Sequence, residues 1–522
     1  MPGNIIRIDM HEILGTIITT EESPSTTEFS FVINNNSEVK KGQYVQVTQS
    51  NGILFGHVSE IYKSNRYFER AESVAEFEKN SGMDSHFPSS SWEYTIVIVK
   101  ILGIAKHSDD GPDAFQHSFK RAFVPPSPGL KVQSADNELL RQFLGFQDNG
   151  FHIGAIEHHD VPAKICMTRL VQKHLAILAM SGAGKSHLSS VLLEEILDRK
   201  KQDGRIAVVV IDIHGEYVGF QHDPNYGSKT KVIDGNEISI PLRKMKPEMI
   251  MSWLPNLSTP QREVLRHAML QLKQEKKDEE SYGFKDLLDA VEKTDVSKDD
   301  VKRALKRSLS ELKRYRFISK KTENPKLITE IQPGNLTILD FSTIDSLRKK
   351  QILVAMISRR LFNLRKKNQI PPFLLLVEEA HNFAQQKAEE HEAVSRSIIE
   401  TIAREGRKFG ASLCLISQRP VNLSTTALSQ CNTHIILRVT NPNDLDHIQM
   451  SSEGIDSRIA KSITGLKVGE AIVVGAAVNY PVFVSVRNRK STKRERGAPL
   501  HQQAIEFESE KEKKEEQVEA FL

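Results

Sequence analysis

The chain has 522 residues, 39% hydrophobic and 26% charged, with a formal net charge of +4; that exceeds one ordinary domain, so two or three are expected. No apolar run approaches the ~18 residues of a membrane span, Met1–Met10 lacks the charged-then-apolar order of a secretory leader, and three cysteines (Cys166, Cys414, Cys431) have no metal-type spacing and suggest no disulfide framework. A cytoplasmic protein without membrane association is expected, and any nucleic-acid binding must come from a local basic surface.

Short stretches rich in β-branched and aromatic residues come first: Leu14–Ile18, Glu28–Ile33, Tyr44–Thr48, Ile53–Ile61 and Tyr94–Leu102. Turn signals such as Lys41-Gly42 and Asn51-Gly52 separate them. They predict a small N-terminal β-barrel over 1–110, interrupted by a polar, partly helical Arg66–Ser91. It shows no evident catalytic residue, so partner docking or assembly is its natural role. Residues 111–162 read as a transition, with a stiff Val124-Pro125-Pro126-Ser127-Pro128-Gly129 and a short helix over Ala135–Leu144. His158-His159-Asp160 lacks a further residue at ligand spacing and does not predict a metal site.

Residues 163–240 and 322–486 alternate apolar strands with helical stretches. The strands are Leu175–Ala179, Ala207–Ile211, Leu336–Phe341, Phe373–Val377, Ser412–Ile416 and His434–Val439. This is the pattern of an α/β fold with a parallel sheet. Residues 241–321 are charged and helical, with amphipathic Gln261–Lys277 and Lys298–Tyr315, and predict an inserted helical subdomain. The end, 487–522, carries a basic run, Arg487–Arg496, and a charged helix or tail over Ala504–Leu522. The basic run is a candidate DNA contact but reads more readily as a solvated tail.

The chemistry concentrates at Ala179-Met180-Ser181-Gly182-Ala183-Gly184-Lys185-Ser186. An apolar run precedes it and a helix-like Leu188–Leu197 follows, which is the P-loop arrangement, with Ala179 in place of the first glycine. Gly182 and Gly184 let backbone N–H groups converge on phosphate oxygens, and the helix N-terminus adds donors and positive potential. The expected nucleotide cradle is Ser181, Gly182, Ala183, Gly184, Lys185, Ser186 and His187, with Lys185 on the β- and γ-phosphates and Ser186 on Mg²⁺. Phe373–Val377 runs into Glu378-Glu379, the acidic pair such a site needs at the end of a neighbouring strand. Glu378 would steady Mg²⁺ and Glu379 polarise the attacking water. Gln418, ending the apolar Leu415-Ile416-Ser417, is a γ-phosphate sensor or a strand cap. Arg404, Arg407 and Lys408 near Gly410 either complement a helix dipole or include an arginine finger acting on a neighbouring subunit.

In their joint order these motifs resemble the HerA family of hexameric DNA-translocating ATPases, over essentially the whole chain. The resemblance rests on the barrel, the P-loop, Asp212-Ile213-His214-Gly215-Glu216-Tyr217, Glu378-Glu379-Ala380-His381, Ile402–Gly410, Ser417-Gln418-Arg419-Pro420 and Val468-Gly469-Glu470-Ala471-Ile472. It implies a RecA-like core and a HAS-type barrel. It makes Lys185 and Ser186 the Walker A pair, Glu379 the catalytic glutamate, Arg404 a trans-acting finger and Asp212 an acidic group near the metal. Lys173 falls where the family often has an arginine near the phosphates. It also implies ATP and Mg²⁺, a homo-hexameric ring around double-stranded DNA, and a NurA-type nuclease on the barrel face for DNA end resection. Related rings serve anti-phage defence with other effectors, and an ATPase moving protein shares the same core.

Overall fold

The structure, a computed structural model, describes residues 12–519 except 21–22, 35–36, most of 66–92, 106–118, 277–281, 322, 387–392, 453 and 494–499, with backbone alone over 511–519. The predicted Arg66–Ser91 insertion lies almost wholly outside the described residues.

The first strands close on themselves because their apolar side chains all turn to one interior. They are β1 (Ile13–Ile18), β2 (Glu28–Ile33), β3 (Tyr44–Gln49), β4 (Gly52–Asn65), β5 (Glu93–Ala105), β6 (Phe119–Lys120) and β7 (Lys131–Ser134). The antiparallel order is β2-β1-β7-β3-β4-β5-β6, and β2 also pairs with β5, which completes the barrel. Leu14, Phe29, Phe31, Val45, Val47, Val97, Val99 and Val132 fill it. The barrel therefore reaches beyond residue 110. β7 comes from the stretch expected to be a linker, and it supplies the partner that both β1 and β3 need.

The second sheet has eleven strands: β8 (Phe151–Ile156), β9 (Pro162–Ile165), β10 (Leu175–Leu178), β11 (Ala207–Asp212), β12 (Thr230–Asp234), then β15 (Leu336–Asp340), β16 (Phe373–Val377), β17 (Ala411–Ser417), β18 (Thr433–Ile436), β19 (Glu470–Gly475) and β20 (Val482–Val486). Two short strands, β13 (Ile240–Pro241) and β14 (Ile318–Ser319), pair with each other instead. The order is β12-β15-β11-β16-β17-β10-β18-β19-β20-β8-β9. From β12 to β18 every pair is parallel, and β10, β16 and β17 are buried at every position, as unbroken apolar runs must be when helices cover both faces. The remaining four strands are antiparallel and lengthen the sheet at one edge. Their alternation was not legible as part of the core; β8 lies in the expected linker and β9 begins at its last residue.

The helical insertion is present, and β13 pairing with β14 ties its entry to its exit. Helices Pro247–Trp253, Thr259–Glu275, Phe284–Lys293 and Asp299–Arg314 turn Val264, Leu265, Leu272, Leu287, Leu305 and Leu309 into the core under the sheet. Each such side chain contributes about 2 kcal/mol of burial. Ser258 and Gln261 form a reciprocal capping box at the start of the second helix.

The barrel is fixed to the sheet by polar as well as aromatic contacts. His159 Nε2 accepts the Tyr44 N–H (2.9 Å), and burial holds that imidazole neutral, its pKa lowered to about 4. The His158 ring sits 3.1 Å from the Lys41 carbonyl. These histidines, which could suggest a metal site, join the two domains instead. Phe143 stacks on Tyr480, and Lys100 pairs with Asp456 at 2.6 Å. Among the described residues no helix is long and apolar enough to cross a membrane.

Candidate active site

All parallel strands deliver their C-terminal ends to one edge of the sheet, and the predicted motifs meet there. β10 turns through the loop at 179–184 into helix Lys185–Leu197. Gly182 (φ 78°) and Gly184 (φ 107°) occupy the left-handed region, and both have room for a Cβ, so the backbone angle is what requires glycine. Ala179 is buried at an ordinary φ and donates its N–H to the Ser417 carbonyl (3.2 Å), so the missing first glycine costs the loop nothing. Lys185 Nζ donates to the Met180 carbonyl. Burial pushes its ammonium below its ordinary value, while Glu379, Glu216 and Glu378 act in the opposite direction.

The acidic pair follows β16. The sheet places β17 between β10 and β16, so the strand beside the P-loop strand ends in Gln418 and the carboxylates come from one strand further out. Glu379 adopts a left-handed backbone (φ 46°, ψ 46°), a conformation that costs a non-glycine residue on the order of 1 kcal/mol. It is 5% exposed, and burial raises its carboxyl above the ordinary range against the pull of Lys185. His381 Nδ1 lies 3.3 Å from Glu379 Oε2 and 3.1 Å from Ser417 Oγ, and burial lowers its pKa to about 4. A neutral imidazole thus backs the carboxylate.

A cavity of about 950 Å³ opens between these elements. Ser181, Gly182, Gly184, Lys185, Ser186, His187, Glu378, Glu379 and Gln418 all line it, so the expected cradle and acidic pair are brought to one cavity. Four expected residues are placed elsewhere. Ala183 is buried, with its N–H toward the Met180 carbonyl. Asp212 is buried behind the wall, and its two oxygens accept the N–H groups of Glu216 (3.0 Å) and Tyr217 (2.9 Å). It shapes the 212–217 turn, and Glu216 is the carboxylate that receives the Ser186 hydroxyl. Lys173 precedes β10 and so sits at the opposite edge of the sheet, as does Arg404, exposed at the end of helix Arg396–Glu405. The four residues of β10 alone span roughly 13 Å, so neither cation reaches its own chain's cavity. His174 joins their surroundings: it accepts the Leu413 N–H (3.0 Å) and lies against the Ala403 carbonyl.

The donor set suits a small hard cation. Burial, then repulsion from Asp212 and Glu216, pushes the Glu378 carboxyl well up, and Asp212 is raised chiefly by burial. The two carboxyls crowd one another, which a divalent cation would relieve. Among the described residues no cluster of three or more His, Cys, Asp or Glu forms a complete metal cage.

Sequence reasoning missed the segment after β20. Arg487–Thr492 is docked, not solvated. Glu194, wholly buried inside the P-loop helix, accepts from Arg487 Nη1 (2.7 Å), the Lys490 and Ser491 N–H groups and the Ser491 hydroxyl. Burial alone would raise its carboxyl, but these donors outweigh it and hold the group below its ordinary value. Arg489 and Lys493 from this segment also line the cavity. Glu194 within the apolar run Val191–Leu197 was the available sign that something polar must dock there. Glu194→Ala leaves Arg487 paired with Glu195 alone and removes the shared acceptor of the Lys490 and Ser491 N–H groups, and should destabilise the chain by about 1–3 kcal/mol, read as a lowered denaturation midpoint.

Comparison with known proteins agrees with this geometry. A family model for the central domain of helicase HerA matches residues 151–361. A probable helicase of Methanocaldococcus jannaschii is 30% identical over 501 residues, 92% of this chain and 91% of its own. The DNA double-strand break repair helicase HerA of Pyrococcus furiosus is 27% identical, covering 94% of each. The structure of VirB4 from Thermoanaerobacter pseudethanolicus shares the fold, with a TM-score of 0.54 at 15% identity over 66% of this chain and 99% of that one. A P-loop cavity with a buried glutamate at its mouth, in a chain related along almost its full length to these helicases, identifies it as an ATPase of the HerA helicase family.

Proposed function

We propose that the protein is a double-stranded DNA translocase that works as a homo-hexameric ring with its ATP sites between subunits. One observation carries this reading. Arg404 and Lys173 both lie toward the sheet edge opposite the P-loop, away from their own chain's cavity, which supports a role at the cavity of another copy. In each site Lys185 and the P-loop N–H groups hold the phosphates, and Glu379 orients and deprotonates water. Gln418 faces the same cavity as a sensor of the γ-phosphate. Arg404 of the next copy neutralises charge developing on the transferred group. Mg²⁺, held by Ser186 and Glu378 with Asp212 behind them, would screen the phosphate oxygens. Lys173 presents a point charge in place of an arginine fork, so its role in the neighbouring site is the weaker one.

DNA enters the proposal through the relatives, two of which are a double-strand break repair helicase and a probable helicase. Its contacts are expected on phosphates, hence salt-sensitive and tolerant of sequence. A NurA-type nuclease docked on the barrel, with DNA end resection as the outcome, completes the proposal. The barrel is held to the motor sheet by Tyr44–His159 and Lys100–Asp456, so a partner there would share the motor's frame. The test is the ATPase rate with and without duplex DNA. Several-fold stimulation that declines between 50 and 200 mM salt is expected, and a rate indifferent to DNA sinks the DNA reading.

A further inference from the structure

We infer that the segment after β20 is part of the nucleotide site, with Arg489 and Lys493 binding the polyphosphate beside the P-loop helix to which the segment is fastened. This rests on the nucleotide reading above and extends it to residues outside the P-loop and acidic motifs. Three observations carry it. Arg489 and Lys493 line the same cavity as Lys185, Ser186 and Glu379. The segment is also rigidly placed. Glu194 and Asp223 fasten it through the N–H groups of Lys490, Ser491 and Thr492, and the Arg487 carbonyl meets His187 Nε2 at 2.8 Å.

The third observation is charge. The segment's anionic partners are engaged by its backbone, its hydroxyls and Arg487. Arg489 uses Nε and Nη2 on Ser491 and the Thr492 carbonyl, and its guanidinium lies over Phe220 at 5.7 Å. Among the described residues its Nη1 makes no hydrogen bond, and no carboxylate pairs with either Arg489 or Lys493 within ion-pair distance. Two cations at the wall of a phosphate cavity, neither within ion-pair distance of a carboxylate among the described residues, match an anionic ligand. A guanidinium with donors to spare is suited to phosphate oxygens.

The experiment measures displacement of a fluorescent ADP from the full chain by ATP and by inorganic pyrophosphate, for wild type, Arg489→Gln, Lys493→Ala and the double variant. Arg489→Gln removes the guanidinium and its charge while keeping a polar side chain, and Arg489→Lys serves as the rescue. The double variant is expected to need at least tenfold more of both competitors, with the lysine variant recovering part of the loss. Unchanged pyrophosphate displacement overturns the inference, because the segment is then only a structural strap. Lost DNA binding with intact nucleotide binding overturns it in favour of a DNA contact. Wild-type protein that binds no nucleotide, with Lys185→Ala indistinguishable from it, overturns the nucleotide reading itself.

Discussion

Glu379→Gln should lower ATP turnover by roughly 10²–10⁴-fold while leaving nucleotide affinity nearly unchanged. The substitution keeps the side chain's shape and its place beside His381, but an amide accepts no proton. The surroundings explain why this residue carries so much of the rate. Its backbone holds a left-handed turn that an ordinary residue avoids, and that turn presents the carboxylate to the cavity. Burial raises the carboxyl, which makes it a stronger base than an exposed glutamate. Steady-state ATPase assays paired with nucleotide titration separate the two effects. If turnover persists in Glu379→Gln, another group activates the water.

Arg404→Ala should cost still more, roughly 10³-fold or above, since a finger of this kind contributes in that range. Its signature is complementation between copies. Glu379→Gln and Arg404→Ala chains are each inactive alone. Mixed equally and co-assembled, they should regain activity at roughly one site in four, where an intact Glu379 meets an intact Arg404 from the next copy. A finger serving its own chain would give no recovery at any mixing ratio. Full activity of Arg404→Ala would return the residue to the plainer role of favouring a helix C-terminus.

The P-loop and the strands around it were legible because each carries its signal locally. Leu175–Leu178, Ala207–Asp212 and Phe373–Val377 are unbroken apolar runs, and a buried parallel strand admits little else. Glu378 and Glu379 were legible for the same reason, since two carboxylates directly after such a run need a purpose. What stayed hidden depends on distant partners. β7 is four residues of mixed character whose place is decided by the free edges of β1 and β3. Glu216 stands where Asp212 was expected because a turn brings two N–H groups onto Asp212 and leaves Glu216 facing Ser186. The basic run at Arg487 looks solvated until Glu194, almost three hundred residues earlier, is known to be buried.

The separation of the P-loop edge from the edge bearing Arg404 gives association of this chain a direction. Two unlike surfaces meet at such a contact, so one copy's head meets the next copy's tail and no pair of copies can satisfy both partners face to face. An open arc always ends in one unfinished site, whereas a closed circle has none. Activity per copy should therefore climb with each copy added and reach its full value only at closure, which makes circularisation itself an on-switch for the motor.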